Sequence, residues 1–78
     1  MISVKLFGIA KDIVGSSTLN IEQDLRTVDD LLTYLTFEYP RFKDLTSLLV
    51  AINDEYANAA AIIKSEDEVA LIPPVSGG

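Results

Sequence analysis

Apolar and polar residues alternate at the start of the chain. Ile2, Val4 and Leu6 share one side of ISVKLF, and Ser3, Lys5 and Phe7 share the other. A period of two predicts a strand with one core face, and Phe7 is the apolar exception on the second face. Gly8 breaks the pattern. In the following IAKDIVG, Ile9, Ile13 and Val14 recur at helical spacing, and Gly15 is placed to end a short helix. STLNIEQ alternates again, with Leu19 and Ile21 opposite Thr18, Asn20 and Glu22. The short connection makes this second strand an antiparallel neighbour of the first.

TVDDLLTYLTFEYP carries the clearest helical pattern. Val28, Leu31, Leu32, Leu35 and Tyr39 fall on one continuous apolar face. Thr27 suits the N-cap, with Asp30 three residues on to complete a capping box, and Asp29 and Asp30 suit the positive end of the helix dipole. Pro40 disfavours helical geometry at Tyr39 and predicts the end there. RFKDLTS reads as a turn or short helical piece anchored by Phe42 and Leu45. LLVAIN and VALI are apolar on both faces, as strands inside a sheet are. NDE and KSEDE are polar turns, and YANAAAII reads as a short strand near Tyr56 followed by a loop. Pro73 and Pro74 end the last strand. The order strand, short helix, strand, long helix, strand, short strand, strand predicts an α+β fold. It is a mixed, mostly antiparallel sheet of about four to five strands with the long helix on one face.

One helix covers only one face of such a sheet. Val4, Leu6, Val50, Ile52, Val69 and Leu71 are the natural covered side. Alternation then turns Phe7, Leu49, Ala51, Ala70 and Ile72 to the other side. So small a chain has little left to cover that face, so it is expected to be apolar, exposed and used for interaction.

The composition narrows the chemistry. Seventy-eight residues make one domain, and 49% hydrophobic residues suffice for a dense core. With no cysteine there is no disulfide, no thiolate zinc site and no cysteine nucleophile; with no histidine the commonest general base is missing too. Asp67 and Glu68 form an acidic pair, but nothing else converges on them, and a solvated turn is the simpler reading. Twelve acidic residues against six basic ones give a net charge of −6. That balance argues against nucleic acid as a partner and suits either a basic partner surface or plain solubility. No apolar run reaches the ~18 residues of a membrane span, and MISVKLFG lacks the layout of a signal peptide. A cytoplasmic protein with no membrane partner is the expectation.

The sequence finishes on IPPVSGG. Glycine has no side chain, so a Gly-Gly end can thread a narrow channel and offer an unhindered carboxylate to a nucleotide. Paired prolines stiffen its base without adding bulk at the tip.

DEVALIPPVSGG resembles the C-terminus of the small subunit of molybdopterin synthase, a family of sulfur carriers with the β-grasp (ubiquitin-like) fold. The resemblance runs through the chain. VKLFGIAKDIVG is similar to the family's opening strand and short helix, TVDDLL to the start of its main helix, and LLVAIN to its central strand. The paired prolines are the specific part, because thiazole-synthesis carriers and ubiquitin-like modifiers share the Gly-Gly. One departure is Glu66, ahead of the acidic pair, where the family commonly has a glycine in the turn.

The resemblance implies a β-grasp domain over 1–74 and a flexible Gly-Gly tail over 75–78. It implies that an ATP-dependent adenylyltransferase adenylates the carboxyl of Gly78, and that a sulfur donor protein then converts it to a thiocarboxylate. ATP is used by that activating enzyme, and no cofactor or metal is bound by this chain alone. The large subunit of the synthase would hold the active site and the pyranopterin precursor, in a heterotetramer of two small and two large subunits. This chain would be its non-catalytic, sulfur-donating partner. Phe7, Tyr56, Ile72 and Pro73 would form the interface, and Pro74, Val75, Ser76 and Gly77 would lie in the partner's channel. The alternatives are a carrier for another pathway (thiazole and thiamine, or a ubiquitin-like modifier) and a β-grasp binding module without tail chemistry.

Overall fold

The computed structural model describes residues 2–45 and 48–73. Its elements are β1 (Ile2–Leu6), α1 (Gly8–Val14), β2 (Thr18–Ile21), α2 (Val28–Glu38), β3 (Leu49–Ile52), β4 (Glu55–Ala57) and β5 (Glu68–Ile72), with a 3₁₀ turn over Pro40–Asp44. The strands form one five-stranded sheet in the order β2-β1-β5-β3-β4. β1 and β5 run parallel and every other neighbouring pair is antiparallel, so the sheet is mixed and the fold α+β, as the element order predicts.

The register sorts side chains onto two faces. Val4 pairs with Leu19 and Val69, Leu6 with Leu71, Leu71 with Val50, and Val69 with Ile52. This is the face α2 covers, and Val4, Leu6, Val69 and Leu71 are at most 1% exposed. Val28, Leu31 and Leu35 of α2 are buried in the same core, with Leu32 and Tyr39 packed partly against it. Burial of a leucine or valine side chain stabilises by roughly 1.5–3 kcal/mol, and these residues share the core with Ile2, Ile21, Phe42, Val50 and Ile63.

The first turn of α2 accounts for all its donors. Val28 N–H donates to the Ala61 carbonyl and Asp29 N–H to the Ala59 carbonyl. Asp30 N–H donates to Thr27 Oγ1, while the Asp30 carboxylate accepts from the Thr27 N–H, closing the capping box. Ile63 N–H donates to the Arg26 carbonyl, and Thr27 and Ile62 form an isolated bridge. Residues 59–63 therefore act as a strap across the helix start. The alanines of that stretch suit the role, since small side chains let backbone approach backbone.

At two places the structure departs from the sequence pattern. Ile9 is 44% exposed, and the buried residue of α1 is Ala10. α1 packs against β5 and the 3₁₀ turn, and the small Ala10 is fully buried, which lets the helix approach those elements closely. The uncovered sheet face is also apolar only in part. It carries Leu49, Ala51, Ala70, Ile72 and Tyr56 toward β3 and β4, but Ser3, Lys5, Thr18, Asn20 and Glu68 toward β1 and β2.

Replacing Thr27 by alanine removes one half of the capping box and leaves the Asp30 N–H without its acceptor. A loss of about 1 kcal/mol is expected. For a domain of this size that lowers the melting temperature by about 4–8 °C, which thermal denaturation followed by circular dichroism measures. Thr27→Ser is expected to retain most of the stability.

Candidate functional site

The last described strand, β5, lies between β1 and β3 at the centre of the sheet. The C-terminal end of β5, the exit from the sheet, has the ends of both neighbours beside it. On one side the parallel register Lys5↔Ala70 and Leu6↔Leu71 brings Phe7 and Ile72 to the same end of the sheet. On the other, Leu49 pairs directly with Ile72. Phe7 is 48% exposed, Leu49 49% and Tyr56 74%, and Ile72 is partly buried between them. Phe7, Leu49 and Ile72 form an apolar patch around that end of β5, and Tyr56 extends the same face on the edge strand β4.

Gly8 fixes one wall of that exit. Its φ is +56°, which L side chains rarely adopt, and a Cβ there would stand 3.1 Å from Pro73 Cγ. Pro73 is buried. Its ring is seated at the start of α1, so it offers less surface than Phe7 or Tyr56. The Phe7 carbonyl accepts from the Ala10 N–H at 3.1 Å, which anchors α1 while the Phe7 ring stays half exposed. Pro74, Val75, Ser76, Gly77 and Gly78, the expected tail and its reacting carboxylate, lie outside the described residues.

Of the sequence-based interface residues, Phe7, Ile72 and Pro73 come together at the strand end. Tyr56 stands two strands away on the edge strand β4, on the same face as Ala51. Sequence reasoning placed Leu49 on this face without assigning it a contact, and it used Gly8 only as a pattern break. The direct Leu49↔Ile72 pairing makes Leu49 the closer neighbour of the exit. The signal for Gly8 was its position, directly after the last core residue of β1 and ahead of a helix.

The acidic pair is structural. Asp67 Oδ2 accepts from the Lys64 N–H at 2.8 Å, and Oδ1 accepts from the Asn53 side-chain amide at 3.0 Å. Asn53 Oδ1 in turn accepts from the Glu68 N–H at 3.1 Å. Asn53 and Asp54 have φ of 51° and 71° and make the two-residue turn between β3 and β4, a geometry asparagine and aspartate tolerate. Asp67 thus ties that turn to the entry of β5. The donated Lys64 backbone hydrogen bond, then the Asn53 amide, holds its carboxyl below the ordinary value. Glu68 is engaged by Lys5 Nζ at 2.6 Å, both about half exposed, and this pair raises the lysine's pKa. Being screened by water, it contributes little to stability. Among the described residues no group of three or more acidic side chains is arranged to hold a metal, and no helix is long and apolar enough to cross a membrane.

A five-stranded mixed sheet with its final strand at the centre and one long helix across it is the ubiquitin-like β-grasp. Within that class the chain belongs to the ThiS family, which matches residues 4–78. It is 35% identical over 79 residues to the molybdopterin synthase sulfur carrier subunit of Arabidopsis thaliana, covering 99% of this chain and 82% of that protein. It is 36% identical over 80 residues to the same subunit of Dictyostelium discoideum, covering 96% of this chain and 93% of that one. Among solved structures it is similar to SAMP1, a small archaeal modifier protein of Haloferax volcanii. The TM-score is 0.82, with 31% identity over 99% of this chain and 98% of that chain.

The lowered Asp67 pKa fixes the sign of an acid effect. A carboxyl whose pKa is depressed on folding stabilises the fold above its unfolded value, near 3.8, and loses that contribution as pH falls through the lower folded value. Thermal melts are therefore expected to fall more steeply below about pH 4 for the wild type than for Asp67→Asn. Parallel slopes for the two proteins would show that Asp67 gains nothing from its two donors.

Proposed function

We propose that this chain is the sulfur carrier subunit of a molybdopterin synthase. The observation that carries the reading is the ThiS-family match, which runs through Gly78. Full-length similarity to curated subunits of that name supports it. So does the geometry, in which the central strand β5 ends beside an apolar patch.

The chemistry then follows from the tail. A free carboxylate is a poor electrophile. The Gly78 carboxylate attacks the α-phosphate of ATP in the activating enzyme, pyrophosphate leaves, and an acyl-adenylate forms. Sulfide from a donor protein attacks the acyl carbon and displaces AMP, leaving a thiocarboxylate. In the large subunit the thiocarboxylate sulfur attacks a carbon of the pyranopterin precursor and displaces an oxygen leaving group; water then hydrolyses the acyl–sulfur bond, which leaves the sulfur on the precursor and returns the Gly78 carboxylate, and two such deliveries build the dithiolene. Gly77 and Gly78 suit this passage because no side chain blocks the channel or the acyl carbon. With no histidine and no cysteine in the chain, its partners supply the acid, base and sulfur-handling groups. Phe7, Leu49, Ile72 and Tyr56 form the docking patch, used in turn by the activating enzyme and the large subunit.

A second reading, conjugation of the tail to lysines as a protein modifier, is favoured by the likeness to the Haloferax modifier. Both readings pass through the same adenylate.

Incubation with the organism's activating enzyme, ATP and a sulfur source is expected to exchange one oxygen of Gly78 for sulfur, seen by intact mass and localised by fragmentation. Gly78→Ala, or one added C-terminal residue, is expected to keep the fold and abolish sulfur transfer. An unchanged wild-type mass with a competent activating enzyme overturns the sulfur-carrier reading, and lysine-linked conjugates in place of sulfur transfer favour the modifier.

Phe7→Arg tests the patch. The ring is half exposed, so stability is expected to shift by no more than about 0.5 kcal/mol. Binding to the large subunit is expected to weaken at least tenfold by calorimetry. A large drop in melting temperature would instead make Phe7 a core residue.

A further inference from the structure

The outer face of α2 carries a feature that tail chemistry does not use. At ~100° per residue, Phe37 lies roughly 180° around the helix from Val28, directly opposite the buried stripe. It is 83% exposed, the most exposed of the large apolar side chains described. The ring stands between two shallow grooves. One, of about 590 Å³, runs from Asp29 past Leu32 and Thr36 to Pro40 and Lys43. The other, of about 540 Å³, is bounded by Asp24, Leu25, Asp30 and Tyr34. Thr33 and Phe37 line both. An aromatic ridge between two partly apolar grooves has the shape of a docking anchor, since such residues dominate interface energetics when a partner closes over them.

Charge selects the occupant. Among the described residues the groove linings carry three acids, Asp24, Asp29 and Asp30, against one cation, Lys43, with Glu38, Arg26 and Arg41 exposed just outside them. A second copy seated here would bring two acidic rims together, in a chain whose net charge is already −6. A basic partner would find complementary charge around an apolar centre. The face lies on the far side of α2 from the sheet, so such a partner leaves the patch around Phe7 and Leu49 free.

We propose that the outer face of α2 is a second docking surface, for a protein segment presenting an apolar side chain flanked by lysines or arginines. This goes beyond sulfur transfer and holds whether or not the tail is thiolated.

The test titrates ¹⁵N-labelled full chain with a synthetic amphipathic peptide of leucine and lysine. The control is a peptide of equal length and charge with serine for leucine. The expected result is saturable, salt-sensitive shifts at Leu32, Thr33, Thr36, Phe37 and Lys43, at least tenfold weaker with the serine control. Phe37→Ser is expected to weaken binding at least tenfold, and Thr33→Lys, which sets a like charge between the grooves, to do the same. Both variants are expected to keep the wild-type melting temperature and normal thiocarboxylate formation. Equal binding of the serine peptide, shifts confined to Leu49 and Tyr56, or no loss in either variant would overturn the proposal. So would self-association abolished by Phe37→Ser, which would make a second copy the occupant.

Discussion

The parallel pairing of β1 with β5 is the constraint on which the rest of the molecule depends. It joins the two ends of the chain at the middle of the sheet, and it is held on one face by four side chains that water scarcely touches: Val4, Leu6, Val69 and Leu71. A parallel pair cannot be closed by a hairpin, so everything between the two strands has to act as the crossover. That crossover contains α2, which lands on the face where those four side chains meet. Because β5 is also hydrogen-bonded to β3, the last described strand has neighbours on both sides and is central rather than an edge strand. The C-terminal end of β5 therefore has Phe7, Gly8 and Leu49 at defined places around it.

Two local devices hold the long crossover in place. At the start of α2, the capping box and the strap of residues 59–63 satisfy the N–H groups that a helix otherwise leaves open. At the far end of the sheet, Asn53 and Asp67 tie the β3–β4 turn to the entry of β5. Apart from Ile63, which the strap buries in the core, these devices add little apolar burial. Their contribution is to remove alternatives: the strap sets where α2 begins, and the Asn53–Asp67 tie sets where β5 begins, so its register against β1 is fixed from outside the core.

The parts legible in the sequence were those with a strong period or a strong breaker. The alternation of β1 and β2, the apolar stripe of α2 with Thr27 at its cap, and the stop at Pro40 all have purely local causes. The final strand was legible because apolar residues on both faces require neighbours on both sides. What stayed hidden depended on contacts between distant segments. Ala10 rather than Ile9 is the buried residue of α1, where the helix packs against β5 and the 3₁₀ turn, which no pattern within α1 records. The role of YANAAAII as a strap has no period at all, since its function is to supply backbone carbonyls. Asp67 looked like surface charge and is a turn clamp, because its partner Asn53 lies fourteen residues away. At the candidate site the terminal motif could be read letter by letter, whereas the closeness of Leu49 to Ile72 required the register of β3 on β5.

A carrier whose chemistry happens in other proteins places unusual demands on its surface. Under the proposed function the chain's own contribution is recognition and reach. Recognition by successive partners through one patch requires that the patch bind each of them and release each of them. In the proposed function, a small apolar cluster at the strand end, on a sheet face where Lys5 and Glu68 are engaged with each other, would meet that need. It supplies burial without committing unpaired charges to any single partner. An anchor on the opposite side of the molecule obeys a different logic. Under the proposal, Phe37, between grooves lined by Asp24, Asp29 and Asp30, would hold a basic partner throughout the proposed cycle, because that face lies away from the end of β5. The two faces of one small β-grasp domain would then divide the work, one for exchange and one for retention, with α2 and the β1–β5 pair as the rigid layer between them.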